Sequence, residues 1–327
     1  MSSDLIAPMP LLQVRNLTVD YIGENAIARA VNGIDFDIAE GEAFGLAGES
    51  GCGKSTVAFA LARLTRLPGL VSGGSIRFRG EEVLDFGPER LRKYRWNEVS
   101  FVFQSAMNAL NPVMRVSEQI MDTVRAHQPK ATGDEVRARA LEMFDLVGIP
   151  SRRLDDYPHQ FSGGMRQRIG IAIAMCLNPR LVIMDEPTTA LDVVVQRDII
   201  EQICDLKNNL GFSVLFITHD LGLMIEFCDR IGVMYAGELV ETAAADQILT
   251  APRHPYTRAL GQSFPPLTGP RRRLEGIAGS PPPLSALPQG CRFSPRCTSA
   301  VALCGIEVPT LQTDPQTKGQ VACHLAQ

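Results

Sequence analysis

Gly48-Glu-Ser-Gly-Cys-Gly-Lys54-Ser55 follows a short apolar run, Ala43 to Ala47, and precedes a stretch with helical spacing over residues 54–66. The pattern is G-x-x-x-x-G-K-[ST] between a strand and a helix, the arrangement that cradles phosphates. Phosphate oxygens need backbone N–H donors at close range, and glycine lets the chain approach that near. Gly48, Ser50, Gly51, Gly53 and Thr56 are therefore candidate phosphate-binding positions, with Lys54 reaching the β and γ phosphates and Ser55 ligating Mg²⁺. At average glycine and lysine usage, about one chain in a hundred of this length would match by chance. The surrounding strand and helix lower that further, so this stretch reads as a nucleoside triphosphate site.

Downstream, Leu181-Val-Ile-Met-Asp185-Glu186 is an apolar strand ending in two carboxylates. Such a run is usually just a strand reaching the surface, but behind a phosphate loop the balance reverses. Asp185 can hold Mg²⁺ through its water shell, and Glu186 can polarise an attacking water as general base. Phe161-Ser162-Gly163-Gly164-Met165 opens a helix with a serine cap and two glycines. Most Ser-Gly-Gly stretches are ordinary helix starts. Here the stretch adds a second anion-directed surface to a chain that already has one, which suggests that it serves a neighbouring subunit's nucleotide.

Alternating apolar strands and helices argue for a mostly parallel sheet covered on both faces. Strands are predicted at Leu11 to Asp20, Ala26 to Ile38, Ser75 to Phe78, Val99 to Phe103, Leu181 to Met184, Phe212 to Thr218 and Ile231 to Tyr235. A helical block is expected from about residue 105 to 178, with a capping box at Thr132-Gly-Asp-Glu135. The fold class is thus α/β, with the nucleotide-binding domain over residues 1–264. Residues 252–327 hold 12 of the 22 prolines, so residues 265–327 read as a small, loop-rich extension. It is expected to be separable, with removal from about Gly279 leaving nucleotide binding intact. Arg271-Arg272-Arg273 reads as a solvated linker. The net charge of −4 disfavours nucleic acid as a partner, no apolar run is long enough to span a membrane, and no basic residue precedes Arg15 as a secretory signal would require.

Together these motifs resemble the ATP-binding subunits of ABC transporters over residues 10–264. The family's other motifs follow in order: Tyr21 as the aromatic stacked on adenine, Gln104 as the Q-loop residue that also contacts Mg²⁺, Ala190-Leu191-Asp192 as the D-loop and His219 as the switch histidine. A lone Tyr, Gln or His at a strand end is usually structural; six motifs in order are specific. The resemblance implies a P-loop NTPase of the ABC type, with an N-terminal antiparallel β subdomain and an inserted helical subdomain. It also implies catalytic roles for Glu186, His219 and Gln104, and ATP bound between two subunits, with Ser162, Gly163 and Gly164 acting in trans.

Phe161 and Met165 depart from the common LSGGQ signature. The SGGM form, Gln104-Ser-Ala-Met-Asn-Ala-Leu-Asn-Pro112, His254-Pro-Tyr-Thr257, Pro281-Pro-Pro-Leu284 and Gly290-Cys-Arg-Phe-Ser-Pro-Arg-Cys297 resemble one ATPase subunit of oligopeptide and dipeptide importers. The implied partners are a paralogous ATPase subunit (or an identical one), two membrane-spanning permeases and an extracytoplasmic solute-binding protein. The implied location is the cytoplasmic face of the cell membrane. Nickel, glutathione or short oligosaccharides are alternative solutes. A soluble ABC ATPase of translation or repair is disfavoured by the lack of tandem units or long coiled coils.

Cys291, Cys297, Cys304 and Cys323 are separated by 5, 6 and 18 residues, without a C-x-x-C pair. Spacing alone leaves four semi-buried thiols, a zinc site or a [4Fe–4S] cluster open. The resemblance implies the cluster, with zinc as the alternative. His324 reads as a neighbour, and Cys52, Cys176, Cys204 and Cys228 as core residues.

Overall fold

The computed structural model of the chain describes residues 9–24, 26–104, 109–189, 191–263, 276–315 and 317–326. Residues 105–108 of the Gln104 segment, Ala190, the boundary at 264–265 and Arg271-Arg272-Arg273 lie outside the described residues.

The N-terminal strands β1 (Leu12–Ile22), β2 (Ile27–Ile38), β4 (Gly69–Phe78) and β5 (Glu81–Glu82) form an antiparallel sheet in the order β2-β1-β4-β5. Strand β4 starts six residues before the predicted Ser75. Its glycine-rich first half pairs with β1 through register shifts, so it lacks the apolar alternation that marks a strand.

The second sheet holds β3 (Ala43–Ala47), β6 (Val99–Val102), β7 (Leu181–Asp185), β8 (Ser213–Ile217) and β9 (Arg230–Tyr235), paired in parallel in the order β9-β3-β8-β7-β6. Every residue of β3, β7 and β8 is buried, which is why these strands are continuous apolar runs rather than alternating ones. The sheet's parallel strands point their C-terminal ends to one side, where α/β folds bind ligands.

Helix α1 (Lys54–Leu61) is shorter than expected, because Arg63 turns the chain at φ 54°. After α2 (Pro88–Asn97), the helical block comprises α3 (Val116–His127), α4 (Gly133–Leu146) and α5 (Gly163–Met175). Thr132 and Glu135 form the predicted box: the Thr132 N–H donates to the Glu135 carboxylate at 2.8 Å, and the Glu135 N–H donates back to the Thr132 hydroxyl at 3.3 Å. Ile120, Val124, Phe144 and Ile169 share a core with Val182, Val214 and Phe216 of the sheet, so the block packs as part of the domain. Helices α6 (Val193–Leu210) and α7 (Leu221–Phe227) alternate with the later strands.

The C-terminal part is less of an appendage than its prolines suggest. Strand β10 (Glu238–Ala244) pairs antiparallel with β9 and with β12 (Gln320–Val321), and β11 (Gln312–Thr313) completes the edge. Helices α8 (Ala245–Thr250) and α9 (Pro255–Gln262) precede the extension. Phe293, 3% exposed, packs edge-on against Tyr235 at 5.2 Å and at a tilt against Tyr256 at 5.3 Å. The extension thus shares the domain's sheet and core.

Candidate functional site

The loop from Gly48 to Gly53 joins β3 to α1, at the C-terminal end of a central parallel strand. A Cβ at Gly48 (φ 145°) would stand 2.3 Å from the Met234 carbonyl oxygen, and one at Gly53 (φ 109°) 2.4 Å from that of Ala30. Backbone from two other strands closes on the loop, and only glycine fits. Lys54 is buried and turned into the loop, donating to the carbonyls of Gly48 (2.7 Å) and Glu49 (2.9 Å). Its ammonium also lies 3.6 Å from the Cys52 sulfur; burial pushes that thiol's pKa up, although Lys54 opposes the shift, and leaves it a packing residue. Ser50 is exposed, and Gly51 stands with open space around it. The Tyr21 hydroxyl lies 3.4 Å from that of Thr56, which sets the ring beside the start of α1.

Asp185, the last residue of β7, meets the helix that follows this loop, and Glu186 comes next in the chain. The Ser55 hydroxyl donates to Asp185 at 3.1 Å, joining the strand end to α1. Burial raises the Asp185 pKa and the neighbouring Glu186 adds to this, against the Ser55 hydrogen bond and the Lys54 charge. Glu186 adopts a left-handed backbone (φ 47°), held by its N–H to the Ile217 carbonyl at 2.8 Å. Its carboxylate accepts from Gln104 (3.0 Å) and from the Thr189 hydroxyl (2.8 Å), while His219 Nδ1 stands 3.4 Å from the other oxygen. Residues separated by up to 115 positions in sequence, from Gln104 to His219, therefore meet around one carboxylate. Thr189 carried no signal in the sequence beyond its place after Glu186.

Ser162 caps α5, its hydroxyl accepting from the Met165 N–H at 3.4 Å. Ser162, Gly163, Gly164 and Met165 line an open hollow with Leu191 and Asp192, and none of residues 48–56 lines it. Phe161 is buried beneath the Arg153 guanidinium, 4.2 Å above its ring, which accounts for an aromatic residue at that position.

His254 and Tyr256 support the loop from the far side. The Tyr256 hydroxyl accepts from the Glu49 N–H at 2.9 Å. His254 Nδ1 accepts from the Tyr256 N–H at 3.0 Å and so caps α9, and burial lowers its pKa to about 4. The sequence marked these residues only as a resemblance; their contact with the phosphate loop had no local signal.

Cys291, Cys297, Cys304 and Cys323 line one small cavity together with His254, Phe293 and His324. Burial raises the pKa of Cys291 and Cys297. The Cys291 N–H donates to the Cys304 carbonyl at 2.8 Å, which draws two of the thiol-bearing turns together. Among the described residues, no group of three or more His, Cys, Asp or Glu side chains is placed to hold a metal ion. His324 Nε2 is engaged with the Glu307 carbonyl at 2.9 Å, consistent with a neighbour's role. Cys52, Cys176 and Cys228 are buried and Cys204 half-buried, all outside this cavity's lining. No helix among the described residues is long and apolar enough to cross a membrane.

Comparison with known proteins agrees with this geometry. Residues 31–189 match the ABC transporter family model, and residues 240–304 match that of the oligopeptide/dipeptide transporter C-terminal region. The chain is 43% identical to the oligopeptide transport ATP-binding protein OppD of Haemophilus influenzae, over 93% of this chain and 94% of that one. It is 42% identical to the oligopeptide transport ATP-binding protein AppD of Bacillus subtilis, over 96% of both. Among solved structures it resembles the dimeric ATP-binding cassette MJ0796 bound to ADP and Pi, with a TM-score of 0.64 and 28% identity over 72% of this chain and 98% of that one. A similar likeness links it to cbiO1 of Clostridium perfringens, with a TM-score of 0.65 and 25% identity over 74% of this chain and 91% of that one. With the phosphate loop, the paired carboxylates and the C-terminal region all in place, the chain belongs to the ABC transporter family, as an ATP-binding subunit of the oligopeptide/dipeptide transporter type.

Proposed function

We propose that this chain hydrolyses ATP to drive import of oligopeptides or dipeptides across the cytoplasmic membrane. The observation that carries the reading is the junction at β7, where Ser55 bonds Asp185 while Glu186 gathers Gln104, Thr189 and His219. Gly48, Ser50, Gly51, Gly53, Lys54, Ser55 and Thr56 hold the phosphates, and Tyr21 stacks on the adenine. Ser55, Asp185 and Gln104 would hold Mg²⁺: Asp185 is a buried carboxylate with a raised pKa, and a divalent cation beside it would offset that desolvation.

Phosphoryl transfer then needs an aligned water, a base and charge stabilisation. Glu186 accepts the water's proton. His219 and Gln104 fix the carboxylate and contact the γ-phosphate, and Lys54 leaves its own carbonyls to meet the phosphate charge. The second hollow at Ser162, Gly163 and Gly164 serves the nucleotide of a facing subunit, a paralogue in the preferred reading. Its separation from residues 48–56 supports action in trans. The subunit lies at the cytoplasmic face of the membrane on two permeases fed by an extracytoplasmic binding protein.

The four extension thiols would hold a [4Fe–4S] cluster, a reading supported by their lining one cavity. Around zinc, at a Zn–S distance of about 2.3 Å, four sulfurs would crowd to about 3.8 Å from one another. A cube of four irons would take one thiolate at each iron, farther apart than around a single zinc ion. Such a cluster would tie together a segment poor in apolar side chains. About four irons and four sulfides per chain after purification without oxygen is the expected result; one zinc would favour the alternative.

The function itself is tested by reconstituting the chain with its permeases and partner ATPase in vesicles. MgATP-dependent uptake of labelled peptides is expected. Uptake of nickel, glutathione or oligosaccharide instead would reassign the solute, and absence of MgATP hydrolysis would overturn the reading.

A further inference from the structure

The phosphate loop has an ion-pair partner far along the chain. Glu49 occupies the first variable position of the loop, and its carboxylate is gripped at both oxygens by Arg296, at 2.7 and 3.0 Å. The Arg296 side chain is 5% exposed, and that of Glu49 26%. The guanidinium also donates to the Tyr235 hydroxyl at 3.3 Å and to the carbonyls of Ala278 (2.9 Å) and Ile277 (3.3 Å), so each face of the fork is occupied. Arg296 stands immediately before Cys297. Nearby Arg292 pairs with Glu238 at 2.9 Å and donates to the Ala236 carbonyl, fixing the same turn to the β9–β10 hairpin.

A bidentate guanidinium–carboxylate pair carries geometry as well as charge. Glu49 sits in a loop whose task is to accept several phosphate charges, and its own backbone carbonyl contacts Lys54. An unpaired carboxylate there would repel the ligand and compete for the Lys54 ammonium. From these contacts we infer that Arg296 is a positioning residue for nucleotide binding: it neutralises and fixes the Glu49 carboxylate of the phosphate loop, which makes the thiol-bearing segment a structural part of the nucleotide site. The inference rests on the assignment of residues 48–56 to MgATP, and the experiment separates the two.

Equilibrium binding of MgATP to the full-length chain would be compared for the wild type, R296A and the double variant R296A/E49Q, at low and high ionic strength. R296A should weaken MgATP binding about tenfold at low salt, the order of one poorly screened unit charge beside the ligand. The loss should shrink near 1 M salt, where the Debye length is about 3 Å. The double variant should return to within about threefold of wild type, because removing the carboxylate removes the repulsion. A chain that failed to fold would gain nothing from the second change, so rescue also excludes misfolding. Unchanged affinity in R296A, or a double variant as weak as R296A, would overturn the inference and leave Arg296 a tether of the extension. Failure of the wild-type chain to bind MgATP would overturn the assignment of the loop as well.

Discussion

Replacing Glu186 by glutamine separates chemistry from architecture at this site. Its left-handed backbone costs glutamine as much as glutamate, so that contribution cancels in the comparison. Gln104 and Thr189 donate to the same oxygen, which the amide can keep, and the contact given up is the one between the other oxygen and His219 Nδ1 at 3.4 Å, worth about 1 kcal/mol as a hydrogen bond. What disappears is the carboxylate able to take a proton from water. General-base catalysis contributes about 10²–10⁴-fold, which corresponds to roughly 3–5 kcal/mol in the barrier. Phosphate release by the assembled transporter at saturating MgATP should therefore fall by at least about a hundredfold. MgATP affinity and the unfolding midpoint should stay near wild type, and the ATP-bound dimer should accumulate. Turnover within about tenfold of wild type would refute the assignment of Glu186 as base. A loss of affinity as large as the loss of turnover would show that the carboxylate holds the loop rather than the water.

Phe293→Ala should destabilise the chain by about 3–5 kcal/mol, since a buried ring touching Tyr235, Tyr256 and His254 leaves a cavity; a denaturant midpoint within error of wild type would show that the extension is not part of the core. His254 ties stability to pH. Its folded pKa of about 4 lies below the ordinary 6.5, so the unfolded chain binds the extra proton and stability falls as pH drops from about 6.5 to 4, by up to about 1.4 kcal/mol per pH unit. His254→Asn, which can still cap α9, should flatten that part of the stability–pH curve; an identical slope in both proteins would refute the assignment. Truncation at Gly279 removes Phe293, Arg296 and β12 together, and is now expected to weaken MgATP binding rather than spare it. Wild-type affinity in the truncated chain would restore the view of a separable extension.

Most of the proposed nucleotide site was legible because its chemistry is local. Gly48 to Ser55 must be contiguous to wrap a phosphate, and Asp185 and Glu186 must end a strand, so both announce themselves in a few residues. The parallel strands β3, β7 and β8 were equally plain, since burial on both faces leaves nothing but apolar side chains. Strand β10 escaped because Glu238, Glu241 and Thr242 interrupt it. Glu241 is 3% exposed and is used up by the N–H groups of Arg253 and His254, a pairing that no periodicity reveals. The short strands β11 and β12 carry two residues each, too few for any pattern. The extension looked separable because proline marks where regular structure stops but does not show what the intervening turns touch.

The pair Glu49–Arg296 shows where such reading stops and why. The two residues are 247 positions apart, one in a motif position open to any residue and the other in a single 3₁₀ turn, Ser294–Arg296. A phosphate loop by itself gains nothing from an acid at that position, which adds negative charge beside an anionic ligand. The acid makes sense only with a buried cation delivered from elsewhere in the fold, and here the cation precedes the second cysteine of the extension. In chains of this architecture, an acid at the position of Glu49 should therefore occur together with a basic residue before that cysteine, and be replaced when the extension is missing. Acids found equally often in cassettes without an extension would remove the charge argument and leave the contact as packing.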